Sequence, residues 1–113
     1  MQFAFLLYGD EAAEAGLTVG ERRTIVEGHL AFGKLLRERD QLRFGEALAP
    51  SAQAATIRPR RRGVIDGPFA ETKEQLGGLY VVECANRDEA VGLARRIPDS
   101  PGLVIEIRPI QDS

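Results

Sequence analysis

The chain is poor in the residues that build disulfide, metal and cofactor chemistry. It contains one cysteine (Cys84), one histidine (His29) and no tryptophan in 113 residues. A lone cysteine forms no internal disulfide and leaves cysteine-based zinc sites without ligands. It also suits a reducing compartment, so a cytoplasmic location is expected. One histidine among scattered carboxylates makes no metal constellation, and the pair Gly77-Gly78 is too short for a phosphate-binding loop. No metal and no cofactor is expected. There is no basic excess either: the net charge of -2 argues against a general nucleic-acid binder. The opening apolar stretch is only a few residues long and lacks a basic leader, unlike a signal peptide. No run approaches the roughly 20 apolar residues of a membrane-spanning helix.

What is present is an ordinary globular balance, 43% hydrophobic and 28% charged, in a length that fits one domain over residues 1–113. A domain this small buries only about 65% of the surface its unfolded chain exposes, so self-association would add useful burial. Residues 3–8 form a short apolar run closed by Gly9-Asp10, the pattern of a buried strand. Residues 10–17 are small and polar and read as a loop. Thr18 and Glu21 have capping-box spacing and open a helix expected to reach about residue 39. Ile25, His29, Phe32 and Leu36 line one face of it. In residues 42–48, strict alternation places Leu42, Phe44, Glu46 and Leu48 together on one strand face. Residues 54–58 and 63–66 read as two short strands around a turn, and Gly67-Pro68 breaks the second. Residues 75–84 form the strongest strand, with Gly77-Gly78 near its start as a bulge or a close backbone approach. Asn86 with Glu89 caps a helix expected to run to about residue 97, where Pro98 stops it. Residues 103–110 form the last strand.

The order β-α-β-(β-β)-β-α-β defines an α+β chain, and without the inserted hairpin it is the split βαβ order of ferredoxin-like folds. Two helices would then cover one face of an antiparallel sheet. The last strand is apolar on both sides, with Leu103, Ile105 and Ile107 against Val104, and so needs cover on both. A second subunit placed sheet to sheet would supply it. A homodimer in the form of a dimeric α/β barrel is expected.

The run Asp66-Gly67-Pro68-Phe69-Ala70-Glu71-Thr72-Lys73-Glu74-Gln75-Leu76-Gly77-Gly78 resembles the signature of the DGPF-type, YCII-related domain proteins. The similarity extends over nearly the whole chain, including Tyr8-Gly9-Asp10-Glu11, Gly45-Glu46-Ala47-Leu48-Ala49-Pro50 and Val104-Ile105-Glu106-Ile107-Arg108-Pro109. This resemblance implies a ferredoxin-like dimeric α/β barrel whose biochemical role is mostly unassigned. It implies association with sigma factors of the extracytoplasmic-function type, beside which many relatives are encoded. It also implies, for some members, a small enzyme built on a His–Asp pair. Carried onto this chain, that pair falls on His29 and Asp66.

Each candidate residue also has a structural reading. His29 is either a general acid or base, or a core histidine satisfied by one hydrogen bond. Asp66 orients His29 or a ligand, or simply caps its own Gly-Pro turn. Glu71, Thr72 and Lys73 line a pocket, or pin the loop or a dimer partner. Glu46, on an apolar strand face, needs a mate such as Arg58 or Arg108, or marks a cleft. Arg58 with Arg60, Arg61 and Arg62 is a solvated hairpin tip or an anion contact. Tyr80 and Tyr8 line a cavity or belong to the core.

These residues support two functions. One is a cofactor-independent lyase or isomerase acting on a compact organic molecule, with His29 as base, Asp66 as orienter and Arg58 stabilising an anion. The other is a non-catalytic module that senses a small-molecule ligand or engages a sigma factor.

Overall fold

The computed structural model describes residues 1–112. In chain order it contains β1 (Gln2–Asp10), α1 (Glu11–Glu14), α2 (Val19–Glu38), β2 (Leu42–Ala47), a 3₁₀ turn (Ser51–Gln53), β3 (Ala55–Thr56), β4 (Ile65–Asp66), β5 (Glu74–Glu83), α3 (Arg87–Ala94) and β6 (Val104–Pro109). Four strands form one sheet in the order β2-β5-β1-β6, with every neighbouring pair antiparallel. The α+β class is as expected. One feature of the expectation changes. There are three α-helices among the described residues, not two. The sheet of one chain is open, because β2 and β6 each pair on one side only, so a single chain closes no barrel.

The core lies on one face of the sheet. Phe3, Phe5 and Leu7 of β1 and Val82 of β5 meet Phe32 and Leu36 of α2 and Ala90, Leu93 and Ala94 of α3. Both longer helices begin on the expected caps. Thr18 Oγ1 accepts from the Glu21 amide at 3.0 Å while Glu21 Oε1 accepts from the Thr18 amide at 2.9 Å. Asn86 Oδ1 accepts from the Glu89 amide at 2.9 Å. The second of these helices stops three residues earlier than residue 97. Its last turn tightens, with the Arg96 and Ile97 amides donating to Leu93 and Ala94 ahead of Pro98, which has no amide to give.

Residues 10–17 are not a plain loop. β1 runs on to Asp10, whose carboxylate then caps α1 by accepting from the Ala13 amide at 3.2 Å. The Glu-Ala-Ala-Glu run of α1 is made of good helix formers. The strict alternation expected in residues 42–48 also fails. Leu42 pairs with Val82 but Phe44 pairs with Val81, so Arg43 is an extra residue in β2. One inserted residue reverses the facing of every side chain beyond it. Leu42 therefore joins the core, whereas Phe44 and Glu46 turn to the opposite face. A second irregularity falls at Gly77, where Leu7 pairs with Gly78 and Tyr8 with Leu76.

That opposite face carries Ala4, Leu6, Leu79 and Val81, flanked by Phe44 and Val104, which are about half exposed. β3 and β4 stand apart as a two-stranded arm. Gly67 closes it with φ +98, donating its amide to Ala54 O at 2.6 Å and accepting from Thr56 Oγ1 at 2.8 Å. Ile57, Val64, Ile65 and Phe69 of the arm and its flanks are exposed. The radius of gyration is 15.6 Å, against about 13 Å for a compact chain of this length.

Candidate functional site

A cavity of about 560 Å³ opens between α2 and the sheet. It exists because the helix-facing positions beneath it are small. Gly45 pairs with Tyr80, Ala47 pairs with Gly78, and Gly78 pairs with Leu7, so this end of the sheet presents glycine and alanine where the other end presents phenylalanine and valine. Ile25 and His29 of α2 form the wall above.

His29 is half-buried, and its Nδ1 lies 2.7 Å from the Tyr80 hydroxyl. The two rings are nearly parallel, 6.0 Å apart and inclined by 15°. Tyr80 is braced edge-on by Phe32 at 5.0 Å. Burial lowers the pKa of His29 and raises that of Tyr80. Near neutral pH the pair is therefore a neutral imidazole and a protonated phenol. If Nδ1 carries the proton and donates to Tyr80 Oη, the phenol O–H and an unprotonated Nε2 remain. If Tyr80 donates to Nδ1, the phenol lone pair and Nε2–H remain. In either tautomer the pair retains one donor and one acceptor.

The imidazole of His29 is expected to titrate below its ordinary value of about 6.5. Between the folded and unfolded values the unfolded chain binds more protons, so this group's share of stability is intact above about pH 6.5 and is lost as pH falls through the window beneath it. Glu14 acts with the opposite sign and lower in pH, because burial, then the neighbouring Glu11, raise its pKa. The single imidazole resonance gives the midpoint, and urea unfolding of the wild type against His29→Gln isolates the stability change. A midpoint at or above 6.5 would refute the assignment.

The other end of the cavity is polar. It holds Arg22 of α2 with Glu11 and Glu14, two residues that a loop reading of 10–17 passes over. Glu11 accepts from the Ser51 amide at 2.8 Å and from the Ser51 hydroxyl, and both bonds lower its pKa. Arg22 donates to the Glu14 carbonyl at 3.0 Å. The available signal was Asp10 as a cap before Glu-Ala-Ala-Glu. The His29–Tyr80 pairing had no local signal, since the residues are 51 apart in the chain.

The other expected site residues lie elsewhere. Asp66 is exposed on β4 and does not line the cavity, so one chain does not bring it to His29. Arg58 is exposed before the arm's turn. Glu46 is exposed with its side on the open face, and Arg108 pairs with Glu106 at 3.0 Å rather than with it. Thr72 donates to the Glu74 carbonyl at 2.6 Å, and Lys73 Nζ stands 4.0 Å from Asp10 Oδ2. Both are loop-pinning contacts. Glu71 is exposed. Of the expected set, His29 and Tyr80 face one cavity, and Tyr8 and Glu46 border it although strand register turns their side chains to the other face of the sheet. Among the described residues no group of His, Cys, Asp and Glu is placed to hold a metal ion, and no helix is long and apolar enough to cross a membrane.

Comparison with known proteins agrees with the signature at Asp66. An uncharacterized protein of Rhizobium meliloti (strain 1021) is 35% identical over 114 residues, spanning 97% of this chain and 92% of the relative. The model of the YCII-related domain matches residues 1–112, and the chain belongs to that family.

Proposed function

We propose that the domain takes a small organic molecule between α2 and the sheet and moves a proton on it through His29 and Tyr80. The observation that carries this reading is the 2.7 Å contact of Tyr80 Oη with His29 Nδ1 at the cavity wall. A ligand proton passes to Nε2, Nδ1–H passes its proton to Tyr80 Oη, and the phenol gives its own to a second ligand atom. No net charge is left on the protein, which ends in the other tautomer and resets by exchange with water. This is isomerase-type chemistry, and an elimination would use the same two groups. The relay calls for no bound cofactor.

The reading extends to assembly. The strand order β2-β5-β1-β6 suits a ferredoxin-like protomer, and two such protomers meeting through their open faces make a dimeric α/β barrel. The arm with Arg58 and Asp66, and the exposed Glu71 of the adjoining loop that Thr72 and Lys73 pin, are then the elements free to reach the second chain.

The test uses a β,γ-unsaturated butenolide and a cyclohexenone in D₂O, with loss of the α-proton followed by NMR. Exchange above the buffer rate is expected, falling about 100-fold in His29→Gln and in Tyr80→Phe. Ala47→Phe, which fills the cavity from β2, should abolish binding. Binding without exchange for both probes would replace the catalytic reading with a ligand-sensing one.

A further inference from the structure

The cavity has a second polar station, opposite the His29–Tyr80 pair. Three acids lie near it, and two are already engaged. Asp10 caps α1 and faces Lys73. Glu11 is held by Ser51 through two hydrogen bonds. Glu14 is different: no side chain or amide among the described residues hydrogen-bonds or ion-pairs with its carboxylate, and it lines the cavity. Its place there depends on Gly9, since a Cβ added at Gly9 would collide with Glu14 Oε1. Arg22, the nearest cation, spends a donor on the Glu14 carbonyl. A carboxylate confined beside other acids, without a donor of its own, favours a ligand that brings one. Burial, with Glu11 and Asp10, holds its pKa up against the opposing pull of Arg22.

The strand geometry gives the spacing. Gly9 lies beneath Glu14, and Phe5 is the sheet partner of Tyr80. The Cα positions of Gly9 and Phe5 are four residues apart on β1, or about 13 Å, so the two stations stand apart along a cavity of about 560 Å³, room for a ligand built on one substituted six-membered ring. Between the stations the floor is Gly45, Ala47 and Gly78, under Ile25.

Building on the proton-transfer reading, we propose that Glu14 determines specificity: it receives a hydrogen-bond-donating group, hydroxyl or ammonium, of a ring-sized ligand whose carbonyl or hydroxyl oxygen meets His29 and Tyr80. Gly9 is the positioning residue that lets Glu14 do so.

The probes are acetophenone, which has only the carbonyl end, and 4-hydroxyacetophenone, which has both. Binding is read from the His29 imidazole resonance. In the wild type the added hydroxyl should tighten binding about tenfold. Glu14→Ala should erase that difference, so that the two probes bind equally. Gly9→Ala, which displaces the carboxylate without altering it, should do the same. Equal binding of the two probes by the wild type, or a difference that survives in Glu14→Ala, overturns the assignment while leaving the His29–Tyr80 reading intact. If neither probe perturbs His29, the cavity reading falls and this one with it.

Discussion

Phe5→Ala is expected to destabilise the domain by about 3–5 kcal/mol. Phe5 has no exposed surface and sits on the central strand β1, with Tyr80 beside it on β5 and Ile107 on β6. Its ring contributes to a cluster that joins both long helices to the sheet, so removing it leaves a void that neither helix can close alone. A domain of this size has only about 5–15 kcal/mol of total stability. One truncation therefore removes about a fifth of it or more. Urea unfolding reads the change as a lower midpoint at unchanged slope. Val19→Ala is the control, because Val19 is 75% exposed at the first turn of α2, and it should move stability by no more than about 0.5 kcal/mol. A loss below about 1 kcal/mol at Phe5 would mean that this cluster is not what holds the sheet to the helices.

The second large effect concerns assembly. By light scattering at micromolar concentration the protein is expected at twice its chain mass of 12.4 kDa. Ala4, Leu6, Leu79 and Val81 lie on the sheet face opposite the helices, with Phe44 and Val104 about half exposed beside them. The chain is also less compact than its length predicts, because the β3–β4 arm stands off the body. Charge favours a second copy as the occupant. The arm's turn bears Arg58, Arg60, Arg61 and Arg62, while the open face bears Glu46, which no cation among the described residues pairs, beside Glu83 and Glu106, which meet the N-terminal ammonium and Arg108. Val81→Glu places an unpaired carboxylate in the middle of that face. Burying it there would cost several kcal/mol, because an ionised group would lose its hydration without gaining a partner. The variant is expected to remain folded by circular dichroism and to run as a monomer. A monomeric wild type, or a Val81→Glu protein that stays dimeric, would refute the open face as the interface.

The elements of this fold were legible because their signals are local. A hydroxyl at Thr18 and a carboxylate at Glu21 satisfy amides within one turn, and they do so in whatever tertiary setting the helix finds. The Gly67 turn likewise carries its own reason, a positive φ that glycine adopts without strain. Family membership was written in the run that starts at Asp66. Alternation was a weaker guide. It placed Glu46 with Leu42, and one extra residue at Arg43 separated them, because a strand's side chains repeat every two residues and a single insertion reverses all those beyond it.

Composition, caps and periodicity were enough for the class, the helix starts, the approximate order of strands and helices, and the place of His29 on the inward stripe of α2. What His29 meets follows from how the strands pair. Its partner is Tyr80, 51 residues away and brought close by strand pairing, rather than Asp66, which the arm carries off to solvent. The cavity is a tertiary fact as well. Gly45, Ala47 and Gly78 are ordinary residues one by one, and they make a space only when pairing across β2, β5 and β1 sets them side by side beneath α2. Local patterns encode the backbone's own hydrogen bonds. A site is made of side chains distant in the chain, and their meeting depends on register, which no single segment specifies.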